Sequence, residues 1–474
     1  MDAVKDRHTG TDAARALQDR LGADVVMTGD GIAPYCRDWH GDMQSDAIAV
    51  LRPRTTAQVQ DCVRAAAQLS LQIVPQGGNT GLVLGAMPDH PDQQVVMSLE
   101  RMTAIRRLDP EDFSAVVEAG IVLESFKESV AQAGLYFPLT LGAQGSCRLG
   151  GNVATNAGGV NVLRYGMTRD LLLGVEVVLP DGSLFDGLTR LRKDNRGIDL
   201  KHLFIGSEGT LGIITAVSVK LTPAPEQVAT ALLALGSLDD AITLYRHARR
   251  QCCDLMSAFE FLPPLAFTLA KEGLPDLVLP MQAAHPAYVL MELSGSGLVN
   301  IDDLMAQFIE YAFDAELVKD GVVAQSQTQA RNLWLIREGM NEGQAKRGKH
   351  LRTDISVPLS SVATFVIEAE AAILAEMPGV ICVSYGHVGD GNVHLNMLPD
   401  NSSDIDAQIY RAKQIVNQVL DRYNGSISAE HGIGRLKKHD FDQRLTDVHR
   451  RLLGAVKTAI DPAVTMNGGC QIDL

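Results

Sequence analysis

Apolar and polar positions follow two textures along this chain. Up to about residue 222, short apolar runs are separated by loops rich in Gly, Asn and Asp. Val59, Cys62, Val63 and Ala66 recur at helical spacing behind Thr56, which predicts a helix capped by that threonine. Runs at 72–75, 95–99 and 115–118 predict strands. The segments 175–179 and 183–185 flank Pro180-Asp181-Gly182 and predict a hairpin. A β-rich stretch, 213–221, ends at Thr222-Pro223-Ala224-Pro225, and these prolines mark 222–227 as a domain boundary. Beyond it, amphipathic spacing predicts helices over 239–250, 301–315, 326–345, 359–376, 404–423 and 443–459. Between them 259–261, 288–293, 351–357, 381–385 and 393–397 read as strands, an α+β pattern with an antiparallel sheet and helices on one face.

Composition narrows the function classes. The 474 residues carry 42 Lys+Arg against 57 Asp+Glu, a net charge of −15. That balance argues against nucleic-acid binding, which rests on many cation–phosphate contacts, and against a polybasic membrane anchor. No apolar run of membrane-spanning length occurs, and the first residues have no hydrophobic signal core. Seven cysteines without a CxxC pair fit a reducing compartment, so a cytoplasmic protein is expected. Glycine is in excess, 43 residues or about 9% against the usual ~7%.

The glycines cluster at Gly77-Gly78-Asn79-Thr80-Gly81, Gly142-Ala143-Gln144-Gly145-Ser146, Gly150 to Gly159 and Gly206-Ser207-Glu208-Gly209-Thr210-Leu211-Gly212. None is a Walker loop or a strand–GxGxxG–helix site. Successive backbone N–H groups in such loops form anion-binding concavities that suit a pyrophosphate, with backbone flat enough to lie against a ring. Pro75 to Leu82, Gly145 to Gly159 and Gly206 to Gly212 resemble the FAD-binding half of the vanillyl-alcohol oxidase/PCMH flavoprotein family, and the second half of the chain is similar to its D-2-hydroxyacid dehydrogenase branch. Residues 1–45 read as an N-terminal helical lead-in; the resemblance implies a PCMH-type FAD-binding domain over 46–225, a substrate (cap) domain over 226–425 and a segment 426–474 that returns to the flavin. It implies that Pro75, Gly77, Gly78, Asn79, Thr80, Gly81 and Leu82 wrap the pyrophosphate. Pro138, Leu139, Gly142, Ala143, Ser146, Gly151, Asn152, Thr155, Asn156 and Gly158 would line the flavin and ribityl chain. Glu208 and Ile214 would sit near the adenine and ribose, with Asn467 also in the cofactor site. The first loop holds no His or Cys where covalent members often place a His, so FAD is expected to be non-covalent.

Most of the 12 histidines lie in polar contexts. In His387-Val-Gly-Asp390-Gly-Asn-Val-His394-Leu-Asn396, a glycine-rich turn joins two strands, and period-two alternation puts His394 and Asn396 on one face. Two imidazoles from one hairpin are half of a divalent-metal site, and Glu430, in Ser428-Ala-Glu430-His431-Gly-Ile-Gly434, is preferred to Asp390 as the third ligand. The resemblance agrees: it implies His387, His394 and Glu430 as metal ligands, His431 as the general base, and zinc ahead of manganese.

Oxidising a 2-hydroxy acid takes a proton from oxygen and a hydride from carbon. A chelating metal acidifies the hydroxyl, a neutral imidazole accepts the proton, and the flavin accepts the hydride. Around 333–358 basic residues gather against the acidic background, and Arg337 and Arg352 suit a carboxylate. The 2-hydroxyglutarate enzymes carry Arg, Thr and Lys at positions similar to Arg337, Asn341 and Arg352; with Asn396 and His431 these form the expected substrate set. An unpaired buried arginine is costly, which ranks D-2-hydroxyglutarate first and D-malate or D-lactate next. A metal-dependent hydrolase and a non-catalytic flavin sensor are the readings from other classes. No haem or iron–sulfur cysteine pattern is present, so electrons are expected to leave to electron-transfer flavoprotein or a quinone. The family resemblance implies a homodimer.

Overall fold

The computed structural model describes residues 10–400 and 404–472; the first nine residues of the lead-in lie outside them. The chain divides into two compact units. The first comprises the chain through Ala157, then Met167–Ala224, and the segment from Glu430 onward. The second comprises Gly158–Gly166 and Pro225–Ala429.

In the first unit, β1 (Val26–Met27), β2 (Val50–Leu51), β3 (Gln72–Gln76) and β4 (Gln94–Ser98) form a sheet in the order β1-β2-β4-β3. β4 runs parallel to both β2 and β3 and is buried along its whole length, with Val95, Val96 and Met97 at its centre, as a strand in a parallel arrangement should be. The next seven strands are β5 (Ile105–Asp109), β6 (Ser114–Glu118), β7 (Leu135–Tyr136), β8 (Leu172–Val178), β9 (Leu184–Asp186), β10 (Ile213–Lys220) and β11 (Thr222–Pro223). Five of them make an antiparallel sheet, β5-β6-β10-β8-β9, and β7 pairs with β11. The expected hairpin is β8–β9, closed by Leu179 N–H donating to the Ser183 carbonyl at 2.9 Å. The helix Thr56–Gln68 buries Val59, Cys62, Val63, Ala65 and Ala66. Its cap is Thr55 rather than Thr56: the Thr55 hydroxyl accepts from Gln58 N–H at 3.2 Å, while the Thr56 hydroxyl donates to Glu176 at 2.8 Å. The last segment of the chain covers the open edge of β3, with Ile73 N–H donating to the Thr465 carbonyl (2.7 Å) and Asn467 N–H to the Ile73 carbonyl (2.8 Å).

In the second unit, β12 (Gln227–Leu235), β13 (Met256–Leu262), β14 (Ala287–Gly295), β15 (Val318–Val323), β16 (Ile355–Ser356), β17 (Ile381–His387) and β18 (Asn392–Leu398) form one antiparallel sheet. Its order is β15-β12-β14-β13-β17-β18-β16. The helices expected on one face cover both. Ala231, Leu233, Phe259, Phe261, Val289 and Met291 pack under the helices Leu238–Cys252 and Ile301–Asp314. Leu232, Ala234, Leu262, Tyr288 and Leu290 pack under Leu265–Gly273 and Gln327–Lys346. Successive side chains of a strand point to opposite faces, so the apolar run 231–235 of β12 is what two covered faces require. The expected strand 351–357 is interrupted: Ile355–Ser356 pairs with β18, Leu351 makes a single bridge to Met397, and Arg352 to Asp354 are irregular between them. Ser237, Asn300 and Ser326 cap three of the helices, accepting from the N–H groups of Asp240, Asp303 and Gln329.

All seven cysteines are free thiols; burial pushes Cys62 up to about 12, which makes it an inert packing group rather than a nucleophile. Among the described residues no helix is long and apolar enough to cross a membrane.

Candidate active site

The glycine loops of the first unit meet at the end of β3. The Gln76 amide donates to the carbonyls of Tyr35 (2.9 Å) and Ala86 (3.1 Å), tying down both ends of the loop that contains Gly77 to Leu82. A Cβ on Gly77 would lie 3.3 Å from Cα of Gly151, and one on Gly78 would overlap the Ser146 carbonyl oxygen. The first and third glycine clusters therefore touch backbone to backbone. Added Cβ atoms at Gly81 and Gly142 meet nothing within 4 Å. Such a cradle, closed at its base and open along its main chain, suits a dinucleotide cofactor. Pro138 and Leu139 are buried just beyond β7, and Ile214 is buried in β10. The Asn152 amide faces the Cys147 sulfur at 3.5 Å, and the Thr155 hydroxyl donates to the Gly151 carbonyl. Asn156 ends the helix Leu149–Thr155 in a left-handed conformation, and its side-chain oxygen accepts from Arg169 N–H at 2.8 Å. Gly158 belongs to the second unit's short insert.

The Glu208 carboxylate is engaged by the chain itself. It accepts the N–H groups of Ile433 and Gly434, each at 2.8 Å, and the Gln471 amide at 3.0 Å. The backbone turn directly after His431 therefore hangs on Glu208. Asn467 donates to the carbonyls of Gly85 (2.9 Å) and Glu208 (2.7 Å), joining the same turn to the loop after the cradle. Arg435 completes the network through its ion pair with Asp89 at 3.0 Å and its bond to Asn467. Within the first unit, Glu430 and His431 lead directly into the Glu208-held turn.

The second unit presents its polar groups on one face of the sheet. Glu260 and His387 are cross-strand partners in β13 and β17, and Tyr385 and His394 are partners in β17 and β18. Glu260 is completely buried. One of its oxygens meets His387 Nδ1 at 2.5 Å, and the other accepts from Arg337 Nε at 3.0 Å. Burial alone would raise its pKa, but His387 and Arg337 outweigh burial and hold the carboxyl well below the usual range. The His387 and His394 rings lie 5.8 Å apart, nearly perpendicular. His394 Nδ1 lies 3.1 Å from the Thr353 carbonyl and must carry a proton to bond it. Arg337 lies 4.7 Å over the Tyr385 ring, whose hydroxyl donates to Asn341 (2.7 Å) and accepts from Asn396 (3.2 Å). Asn396 also donates to Gln344 at 2.9 Å.

The turn between β17 and β18 is built for this. Gly391 has φ +82°, and a Cβ there would overlap the Val357 carbonyl. Asp390, the competing ligand candidate, accepts the Asn392 N–H at 3.0 Å and so braces the turn. Arg337 and Gln344 lie on the buried face of Gln327–Lys346, together with Leu333, Ile336 and Met340. Arg352 is exposed, and its Nε donates to His350 at 3.2 Å. The premise of an unpaired buried arginine does not hold for Arg337, which Glu260 neutralises. Sequence reasoning missed Glu260, although a lone acid inside the apolar strand Met-Ser-Ala-Phe-Glu-Phe-Leu was its signal. It also missed Tyr385, Gln344 and Thr353, which carry no motif.

Residues 47–187 match the family described as FAD binding domain, and residues 224–470 match FAD linked oxidases, C-terminal domain. A mitochondrial D-2-hydroxyglutarate dehydrogenase of Bos taurus is 37% identical over 456 residues, spanning 96% of this chain and 82% of its own. A D-2-hydroxyglutarate dehydrogenase of Xanthomonas citri pv. viticola is 36% identical over 438 residues, spanning 92% of this chain and 91% of its own. Among solved structures, p-cresol methylhydroxylase superposes with a TM-score of 0.76 at 18% identity, over 97% of this chain and 96% of that one. That likeness carries the fold, the PCMH-type architecture expected above. The expectation of a cytoplasmic protein is overturned, because the bovine relative and others among the most similar are named as mitochondrial proteins.

Proposed function

This chain belongs to the FAD-linked oxidase family and is an FAD-dependent oxidoreductase of its D-2-hydroxyacid dehydrogenase branch; on that footing we propose that it oxidises D-2-hydroxyglutarate to the 2-oxo acid with the help of a divalent metal. The observation that carries the reading is the placing of His387, His394 and Arg337 around one patch of sheet, each imidazole oriented through Nδ1. With Nδ1 of each ring engaged by an oxygen, the ligand atom of each is Nε2. Glu430 is the third ligand, and zinc is the first choice of metal, manganese the second. A carboxylate with two imidazoles is a common zinc donor set for catalysis.

His431 takes the proton from the substrate hydroxyl. Arg337 binds a substrate carboxylate, Arg352 contributes a second cationic group, and Asn341 and Asn396 orient the substrate. When bound, the metal supplies Lewis acidity toward the hydroxyl, and FAD supplies the acceptor for the hydride lost from the α-carbon. FAD is held without a covalent bond by Gly77 to Leu82 and the loops around Gly142 to Asn156. Electrons then leave to an external acceptor such as electron-transfer flavoprotein or a quinone, and the working unit is a homodimer.

The test is anaerobic flavin bleaching with D and L forms of lactate, malate and 2-hydroxyglutarate, before and after chelation. D-2-hydroxyglutarate is expected to bleach the flavin fastest, and chelation to abolish the bleaching. Bleaching by none of the panel would remove the dehydrogenase reading, and bleaching indifferent to chelation would remove the metal. Yellow colour retained by an acid-precipitated, washed pellet would refute non-covalent attachment.

A further inference from the structure

We propose that Glu260 is a positioning residue that joins the His387 imidazole and the Arg337 guanidinium into one unit, so that metal affinity and substrate-anion affinity rise and fall together. The proposal rests on the reading of His387 as a metal ligand. Three observations carry it. First, Glu260 is the fully buried acid of β13, between Phe259 and Phe261, where a carboxylate persists only if its charge is matched. Second, it faces His387 directly across two paired strands, so the backbone register and not a flexible side chain fixes the contact. Third, its two oxygens divide their work: one meets His387 Nδ1 at 2.5 Å and the other Arg337 Nε at 3.0 Å.

Each contact has a chemical consequence. A carboxylate only accepts, so the bond to His387 places the ring proton on Nδ1 and turns the Nε2 lone pair toward a metal. The bond to Arg337 occupies the Nε edge of a five-donor group and keeps it stacked on Tyr385. The Tyr385 hydroxyl in turn holds Asn341 and Asn396. One carboxylate thus orients a ligand ring, a cation and, through that cation, an aromatic ring that two substrate-side amides share.

Glu260→Gln separates this role from plain charge matching. Glutamine has one acceptor and one donor, but both partners donate. If its oxygen faces Arg337, its NH2 faces His387 and drives the ring to the tautomer with the proton on Nε2, which opposes metal binding. If the oxygen faces His387, the acceptor at Arg337 Nε is lost. The experiment compares wild type with Glu260→Gln, Glu260→Asp and His394→Ala, all reconstituted with FAD. Zinc affinity is read by competition with a chromophoric chelator, cobalt(II) spectra report the ligand field, and KM and kcat are read for D-2-hydroxyglutarate.

Glu260→Gln is expected to keep its FAD, to bind zinc 10- to 100-fold more weakly, to alter the cobalt spectrum and to raise KM. Glu260→Asp keeps the charge and falls between it and wild type. If Glu260→Gln does not fold, Glu260→Asp carries the comparison. Wild-type zinc affinity and KM in the Glu260 variants, with metal lost in His394→Ala, would overturn the proposal while leaving the metal reading intact. Wild type that binds neither zinc, manganese nor cobalt would overturn the metal reading itself.

Discussion

Replacing Glu208 by glutamine should unfasten the turn that follows His431. The Glu208 oxygens accept Ile433 N–H and Gly434 N–H, each at 2.8 Å, in a buried position. A hydrogen bond to a charged group contributes about 1.5–3 kcal/mol, a neutral one about 0.5–1.5. Glutamine presents one oxygen and one NH2 to these two backbone donors, so of these two bonds one is lost and the other becomes neutral. The first unit should therefore lose roughly 2–4 kcal/mol of stability. The shape is conserved, so neither a cavity nor strain adds to that figure. The turn begins two residues after the proposed base, so kcat should fall as its position spreads. Urea titration with flavin fluorescence reads the release of FAD from the first unit, and steady-state turnover at saturating FAD reads the base. A release midpoint within about 0.5 kcal/mol of wild type, together with an unchanged kcat, would show that Glu208 holds nothing that matters.

Other outcomes follow from the same geometry. His431→Ala should remain yellow with normal FAD content and lose most of its turnover; near wild-type kcat would take His431 out of the mechanism. Gly78→Ala should be purified with little flavin, because the new methyl overlaps the Ser146 carbonyl, and full absorbance near 450 nm would contradict the cradle. Chelation followed by dialysis should abolish turnover, and zinc or manganese alone should restore it. Glu176 gives a pH signature. Burial would raise its carboxyl pKa, but Arg106, Thr215 and Thr56 outweigh burial and lower it below the ordinary 4.5. The unfolded chain then binds more protons than the folded one, so this stabilisation is complete above about pH 4.5 and fades as pH falls toward the depressed value. The urea midpoint of wild type should exceed that of Glu176→Gln by a constant margin at neutral pH and converge on it in acid.

Much of the architecture was legible because the governing interactions are local. The hairpin β8–β9 follows from three turn residues, and Gly391 marks the β17–β18 turn in the same way. Elements buried on both sides were the hardest to read: β12 shows no alternation, since neither face meets water. The cap of Thr56–Gln68 was misplaced by one residue because two adjacent threonines offer the same hydroxyl, and only the distant Glu176 decides between them. Within the candidate site, glycine clusters and the histidine hairpin are visible as motifs. Glu260 is not, and what Glu208 holds is not either, because their partners lie 127 and 225 positions away in the chain. A one-dimensional pattern shows a buried acid only as an oddity, and what neutralises it belongs to the fold.

The edge of β3 is closed by residues that lie almost at the far end of the chain, and Asn467 reaches back across 382 positions to Gly85. On the ribosome this means that the first unit waits for the second. Roughly 200 residues must be made in between, about 10–40 s at ordinary synthesis rates. For that interval β3 presents an unpaired edge next to the glycine loops. A pause anywhere within residues 225–429 therefore lengthens the time for which the flavin-binding unit stands with that edge open.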